Sequence, residues 1–200
     1  MNQDLFKEIY NEVYEMWEIE NQDPENPYRK RTWIFPNHID LVIDWTKKLS
    51  AKYNANEEIC AYAALFHDIG LVYKRAKNTS PEGHEERSLE YTKDLLVKHN
   101  FQEYKINKIL DCIKATEPGH EPQTVEEKIV STSDFVSQFK SIHYFAKAVF
   151  ADDINYFVKW FKKRIEVSFD KKIYFEDLRE ELLPIKKHYA EIIRLYEENK

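Results

Sequence analysis

Glycine almost never interrupts this chain. Three glycines stand in 200 residues. A turn-dense β fold and a glycine-rich phosphate loop both need more than that. Between the breaks the apolar spacing is helical. Leu5, Phe6, Ile9, Tyr10, Val13, Tyr14 and Trp17 share one face of a first helix. Asn37 stands where it can cap a second, in which His38, Leu41, Val42, Trp45 and Leu49 face inward. Asn56 can cap a third, and Gly70 falls where a glycine in the left-handed conformation would end it. Ser80-Pro81 reads as another helix start, Ile106 to Ile113 as an amphipathic helix, and Thr124 with Glu127 as a capping box before Val125, Ile129 and Val130. Residues from Ser141 onward read as two or three helices, the last kinked or split at Pro184. No stretch alternates as a strand does. The expectation is an all-α, single-domain helical bundle with additional C-terminal helices. Its expected parts are an N-terminal helix and loop over 1–30, a core over 31–140 and helices over 141–200 packed on that core.

Charge narrows the function. The formal net charge is −6, and non-specific nucleic-acid binding needs a basic face. A small phosphorylated ligand needs only a local cluster of cations or metals. Cys60 and Cys112 each lie within helical spacing and form no Cys-x-x-Cys pair, so they read as reduced thiols. No apolar run approaches the ~20 residues needed to span a bilayer. The N-terminus has no basic region followed by an apolar core. The expected location is the cytoplasm, with no membrane association.

The chemistry-bearing stretch is Ala63-Ala64-Leu65-Phe66-His67-Asp68-Ile69-Gly70. Mostly apolar or small residues deliver two metal-capable side chains to a helix end. Other candidates for the interior are His38, His84, His120 and Asp134. Neutral imidazoles with carboxylates suit Mn, Fe, Co, Ni or Zn. Helix bundles build such sites from facing helices. Each residue also has a plainer reading. A lone histidine on an apolar face is more often a hydrogen-bonded core residue. An aspartate placed like Asp134 is more often a helix-end or salt-bridged carboxylate, and His120 beside Pro118-Gly119 reads as solvent-exposed.

Together these residues carry a resemblance. Pro36-Asn37-His38, Ala64-Leu65-Phe66-His67-Asp68-Ile69-Gly70 and Ser133-Asp134-Phe135, in that order, resemble the HD-domain metal-dependent phosphohydrolase superfamily over about Ile34 to Asp134. The resemblance implies a helical core of the HD type. It implies that His38, His67, Asp68 and Asp134 hold a first divalent metal. Members with a second metal add two histidines, for which His84 in Gly83-His84-Glu85 and His120 stand in suitable places. The second match departs from the commoner pattern: Thr116 stands four positions after Cys112, and His120 comes a turn later.

The implied activity is cleavage of a phosphate ester, in a nucleotide or similar small metabolite, by metal-activated water. Asp68 and His84 would be catalytic, Asp68 by bridging two ions. One or two metals per chain fit this reading. Lys74, Arg75 and Arg87 are the candidate substrate-binding cations, with Lys114 a weaker one, and Arg29-Lys30-Arg31 with Trp33 could rim the site. Two other functions stand beside it. One is a di-iron oxygenase on the same scaffold, which requires both His84 and His120. The other is a non-catalytic helical binding protein with a structural metal, using the aromatic stretch Tyr144 to Trp160 as a partner surface.

Overall fold

The computed structural model describes residues 1–22, 34–73 and 83–199, and every regular element among them is helical. Contacts divide the chain into two compact units, Met1–Asp134 and Phe135–Lys200.

The first unit is built around its third helix. Its helices are α1 (Gln3–Gln22), α2 (Asp40–Tyr53), α3 (Glu57–Phe66), α4 (His84–Lys98), α5 (Glu103–Lys114) and most of α6 (Val125–Phe139). Asn56 is extended, and its side chain accepts the Ile59 N–H at 3.2 Å. Glu57 and Glu58 follow in the first turn, where negative charge suits the helix dipole. Every residue from Ile59 to Phe66 is buried, as expected of a helix apolar on all sides. α1, α2 and α5 pack around it. Glu126 at the start of α6 accepts the Asn56 N–H at 3.0 Å, which ties α6 to the start of α3.

Several expectations need correction. Asn37 is not an N-cap. Ile34 is already helical, and a π turn over Phe35–Ile39 runs directly into α2. Pro36 sits in the first turn, where its missing N–H costs nothing. Gly70 is not a left-handed stop either. Gly83 (φ 73°) and Gly119 (φ 92°) are the glycines with positive φ, whereas Gly70 lies in a short 3-10 turn, Ile69–Leu71. Its constraint is space. A Cβ on Gly70 would come within 1.9 Å of the His84 carbonyl oxygen and 2.8 Å of the Ser88 nitrogen. Ser80-Pro81 lies outside the described residues, and α4 begins at His84 after Gly83. The capping box at Thr124 is present, its Oγ1 accepting the Glu127 N–H at 3.2 Å, but Val125 stands at the surface.

The second unit contains the last turn of α6, then α7 (His143–Val149), α8 (Ile154–Lys163), α9 (Phe169–Lys172) and α10 (Glu176–Glu198). A π turn, Arg164–Ser168, joins α8 to α9. Its core is aromatic. Phe139 meets Phe135, Tyr144, Phe169 and Tyr189, with ring centroids 5.3–6.5 Å apart. Pro184 does not split α10, which continues through it. Leu178, Leu182, Tyr189 and Ile193 are buried on both sides of the proline, so packing outweighs the lost backbone bond. Among the described residues, no helix is long and apolar enough to cross a membrane.

Candidate metal centre

α3 ends where the chemistry begins. His67 is its C-cap, so the carbonyls of the last turn lack helical partners. The His67 Nδ1–H donates to the Ala64 carbonyl oxygen at 2.8 Å. That bond fixes the tautomer and leaves Nε2 as the free lone pair. His38 reaches the same point from the π turn before α2, and the two Nε2 atoms are 3.1 Å apart. Asp134 arrives from α6. Its Oδ1 is 3.4 Å from His38 Nε2 and 3.8 Å from His67 Nε2. Asp68, next in the chain, turns its Oδ2 to within 3.3 Å of His38 Nε2 and 3.6 Å of His67 Nε2.

These separations test whether an ion fits. Donors about 2.1 Å from one ion lie about 3.0 Å apart at a right angle and about 3.4 Å apart at a tetrahedral one. The five spacings run from 3.1 to 3.8 Å. His38, His67 and Asp134 are all buried, and their donor atoms lie within 4.8 Å of one another. The donor chemistry, two imidazoles with carboxylates, also suits a divalent transition ion. The residues fit the group.

Electrostatics points the same way. Burial pushes the Asp68 carboxyl up, but the imidazoles of His67, His38 and His84 hold it well below the usual carboxylate range. Its charged form is therefore favoured where a ligand must be charged. The Asp68 side chain is 22% exposed against 2% for His38 and His67, so it lies at the outer edge of the cluster.

The outer histidines are arranged differently. His84 Nε2 is 4.0 Å from Asp68 Oδ1, the oxygen that faces away from the buried cluster, and its Nδ1 is 3.2 Å from Glu85 Oε2. Asp68 thus presents one oxygen to the buried histidines and the other to His84. His120 Nε2 instead lies 3.7 Å from Glu127 Oε2. The structure brings His38, His67, Asp68 and Asp134 together, places His84 beside them, and turns His120 toward a different carboxylate.

Of the candidate cations, Lys74 and Arg75 lie outside the described residues, as do Arg29, Lys30, Arg31 and Trp33. Arg87 is buried, and its Nε–H donates to the Gly70 carbonyl oxygen at 3.0 Å. The Gly70 N–H donates to Ser88 Oγ at 2.9 Å. Arg87 and Ser88 therefore clamp the turn after Asp68 onto α4. Lys114 is paired with Asp111 at 2.9 Å.

Three acidic residues escape sequence reasoning. Glu85 and Glu127 contact the two outer histidines, and Glu117 shares their space. Burial and Glu85 hold the Glu117 carboxyl above its usual range, against the pull of His84 and His120. Glu127 had a complete explanation as a cap, and it caps as well, accepting the Gln123 N–H at 2.8 Å and the Thr124 hydroxyl at 2.9 Å. For Glu117 the one available signal was its position three residues before His120.

Neither a curated protein nor a solved structure matches the chain. The HD domain family matches residues 37–137, a span that begins one residue before His38 and ends three after Asp134. The chain belongs to the HD domain family.

Proposed function

We propose that this protein is a metal-dependent phosphohydrolase acting on a phosphate ester of a nucleotide or similar small phosphorylated metabolite. The observation that carries the reading is the convergence of His38, His67 and Asp134, with Asp68 beside them, at spacings one ion would span. A bound divalent transition metal would supply acidified water and positive charge for the phosphoryl oxygens.

The chain's own residues supply the rest. His67 is held by Ala64 with its lone pair inward. Asp68 keeps its charge and offers two differently directed oxygens, which suits either one ion or a bridge between two. His84 is one-quarter exposed and faces Asp68 Oδ1. It can hold a proton at Nε2 or complete a second ion. Arg87 serves first as a brace for the Gly70 turn, so Lys74 and Arg75 are the cations we assign to the phosphate. Two buried free thiols, Cys60 and Cys112, suit the reducing cytoplasm in which we place the protein.

The oxygenase reading needs both His84 and His120 as ligands, and the Glu127 contact of His120 does not favour it. The test is elemental analysis of the purified protein, followed by phosphate release from a panel of esters with Mn, Co, Ni or Fe. Asp68→Ala should abolish release while helicity stays constant. Equal turnover in that variant would exclude the mechanism.

A further inference from the structure

His38 owes its direction to a turn that a helix left to itself would not adopt. The Asp40 N–H donates to the Phe35 carbonyl oxygen, five residues back rather than four, so one residue more than an α turn holds lies between them. Such π turns are rare inside helices and gather at functional sites. Closing this one as an α turn would rotate Phe35 against α2 by about 100°. Phe35 is buried before His38 and Ile39 is buried after it, so neither side turns without losing its packing.

One residue of α1 holds both ends of this turn. The Tyr10 ring meets the Phe35 ring edge-on with centroids 5.4 Å apart, and the Tyr10 hydroxyl donates to Asp40 Oδ1 at 2.8 Å. Tyr14 and Trp17, one and two turns further along α1, close on the same Phe35 ring at 5.1 and 6.1 Å. α1 is itself anchored to the helix that carries the other buried histidine. Phe6 packs edge-on against Tyr62 of α3 at 5.1 Å, and His67 is the C-cap of α3. Contacts therefore run from α3 through Phe6 and Tyr10 to the turn that carries His38. At the two ends of that path stand the imidazoles whose Nε2 atoms lie 3.1 Å apart. A phenyl ring in place of Tyr10 would cover Phe35 equally well. What the hydroxyl adds is the bond to Asp40, at the other end of the π turn.

We propose, on the reading that the inner cluster binds a divalent ion, that Tyr10 is a positioning residue for that site: by joining Phe35 to Asp40 it fixes the π turn and with it the aim of His38 Nε2. Tyr10 touches neither ion nor substrate. It acts through the turn, as outer partners act through the ligands they orient. The hydroxyl carries this role, because the ring contacts to Phe35 are shared with Tyr14 and Trp17.

Titration of the metal-free full chain with Co²⁺, followed by the visible absorption of the bound ion, tests this together with hydrogen exchange at the Asp40 amide. Tyr10→Phe should weaken Co²⁺ binding about tenfold, alter the absorption band and speed exchange of the Asp40 N–H. Asp40→Ala should do the same. The double variant should lose no more than either alone, because both changes remove one interaction. Asp40→Asn keeps an oxygen acceptor for the hydroxyl and should stay within about threefold of wild type. Tyr189→Phe removes a tyrosine hydroxyl bond to the Phe139 carbonyl and should leave Co²⁺ binding unchanged, which separates positioning from a general loss of stability. A wild type that takes up no Co²⁺ overturns the metal reading and this role of Tyr10 with it. Wild-type affinity in Tyr10→Phe, losses that multiply in the double variant, or an equal loss in Tyr189→Phe overturn the role of Tyr10 alone and leave the metal reading in place.

Discussion

His38, His67 and Asp134 lie in the interior, whereas His84 and His120 stand at the edge, with side chains 25% and 36% exposed. All five are donors of the same kinds, and depth separates their behaviour. A buried polar group without a partner is costly, and the inner donors meet this by lying 3.1–3.8 Å from one another and from Asp68, in one small volume that one ion would span. The outer histidines have water and carboxylates within reach. Glu85 Oε2 lies 3.2 Å from His84 Nδ1, and Glu127 Oε2 lies 3.7 Å from His120 Nε2. The inner cluster is a candidate metal site, and the outer pair is turned toward other carboxylates.

The sharpest way to break this contrast is substitution on each side of it. Under the proposed function, Asp68→Ala or His67→Ala should lose the inner ion and lower phosphate-ester turnover at least about a thousandfold, since such an ion supplies several kcal/mol of charge stabilisation. His120→Ala should change turnover by less than about threefold, within a hydrogen bond's net worth. Comparable losses at His67 and His120 would erase the distinction.

Next in size is the seam between the two regions. Gly70→Ala forces a methyl group into the His84 carbonyl. It should destabilise the fold by roughly 3 kcal/mol and lower the thermal midpoint by about 10 °C. A variant melting within a degree of the wild type would mean that α4 is not held against the His-Asp turn as described.

Acid should also separate the regions. Histidine ligands bind metal only when neutral, so under the proposed function a bound ion should leave in acid. Metal content measured after dialysis at stepped pH checks this, and undiminished metal at pH 4 would argue against imidazole ligands. A smaller effect concerns the metal-free protein. The Asp68 carboxyl lies below its ordinary value in the fold. Its charge therefore adds stability at pH above the unfolded value of about 3.9, and that contribution is lost as pH falls through the folded value. Asp68→Asn should be less stable than wild type in denaturant titrations at pH 6, and the gap should narrow steadily below about pH 4. A gap that widened in acid would reverse the sign of the assignment.

Sequence legibility followed the same division by depth. α3 could be read directly, because Asn56, Glu57 and Glu58 mark its start and the uninterrupted apolar run to Phe66 marks its burial. His38 and Asp134 could be placed inward because helical period assigns them to apolar faces. What escaped reading was set by contacts distant in sequence. Gly70 looks like a stop signal because glycine usually is one; its reason is the approach of α4, fourteen to eighteen residues later. Pro184 looks like a break because propensity is local, while the packing that carries α10 through it is not. For His120, nothing in its sequence neighbourhood announces that Glu127, already occupied by Gln123 and Thr124, also faces it.

The bond between His67 and Ala64 has a further consequence. The group that aims this imidazole belongs to the same helix, one turn back, so its aim is set when α3 forms and owes nothing to what later sits between the histidines. A chelator should therefore strip the centre and leave a folded shell that recharges as fast as ions diffuse in, unlike small zinc modules that collapse on depletion.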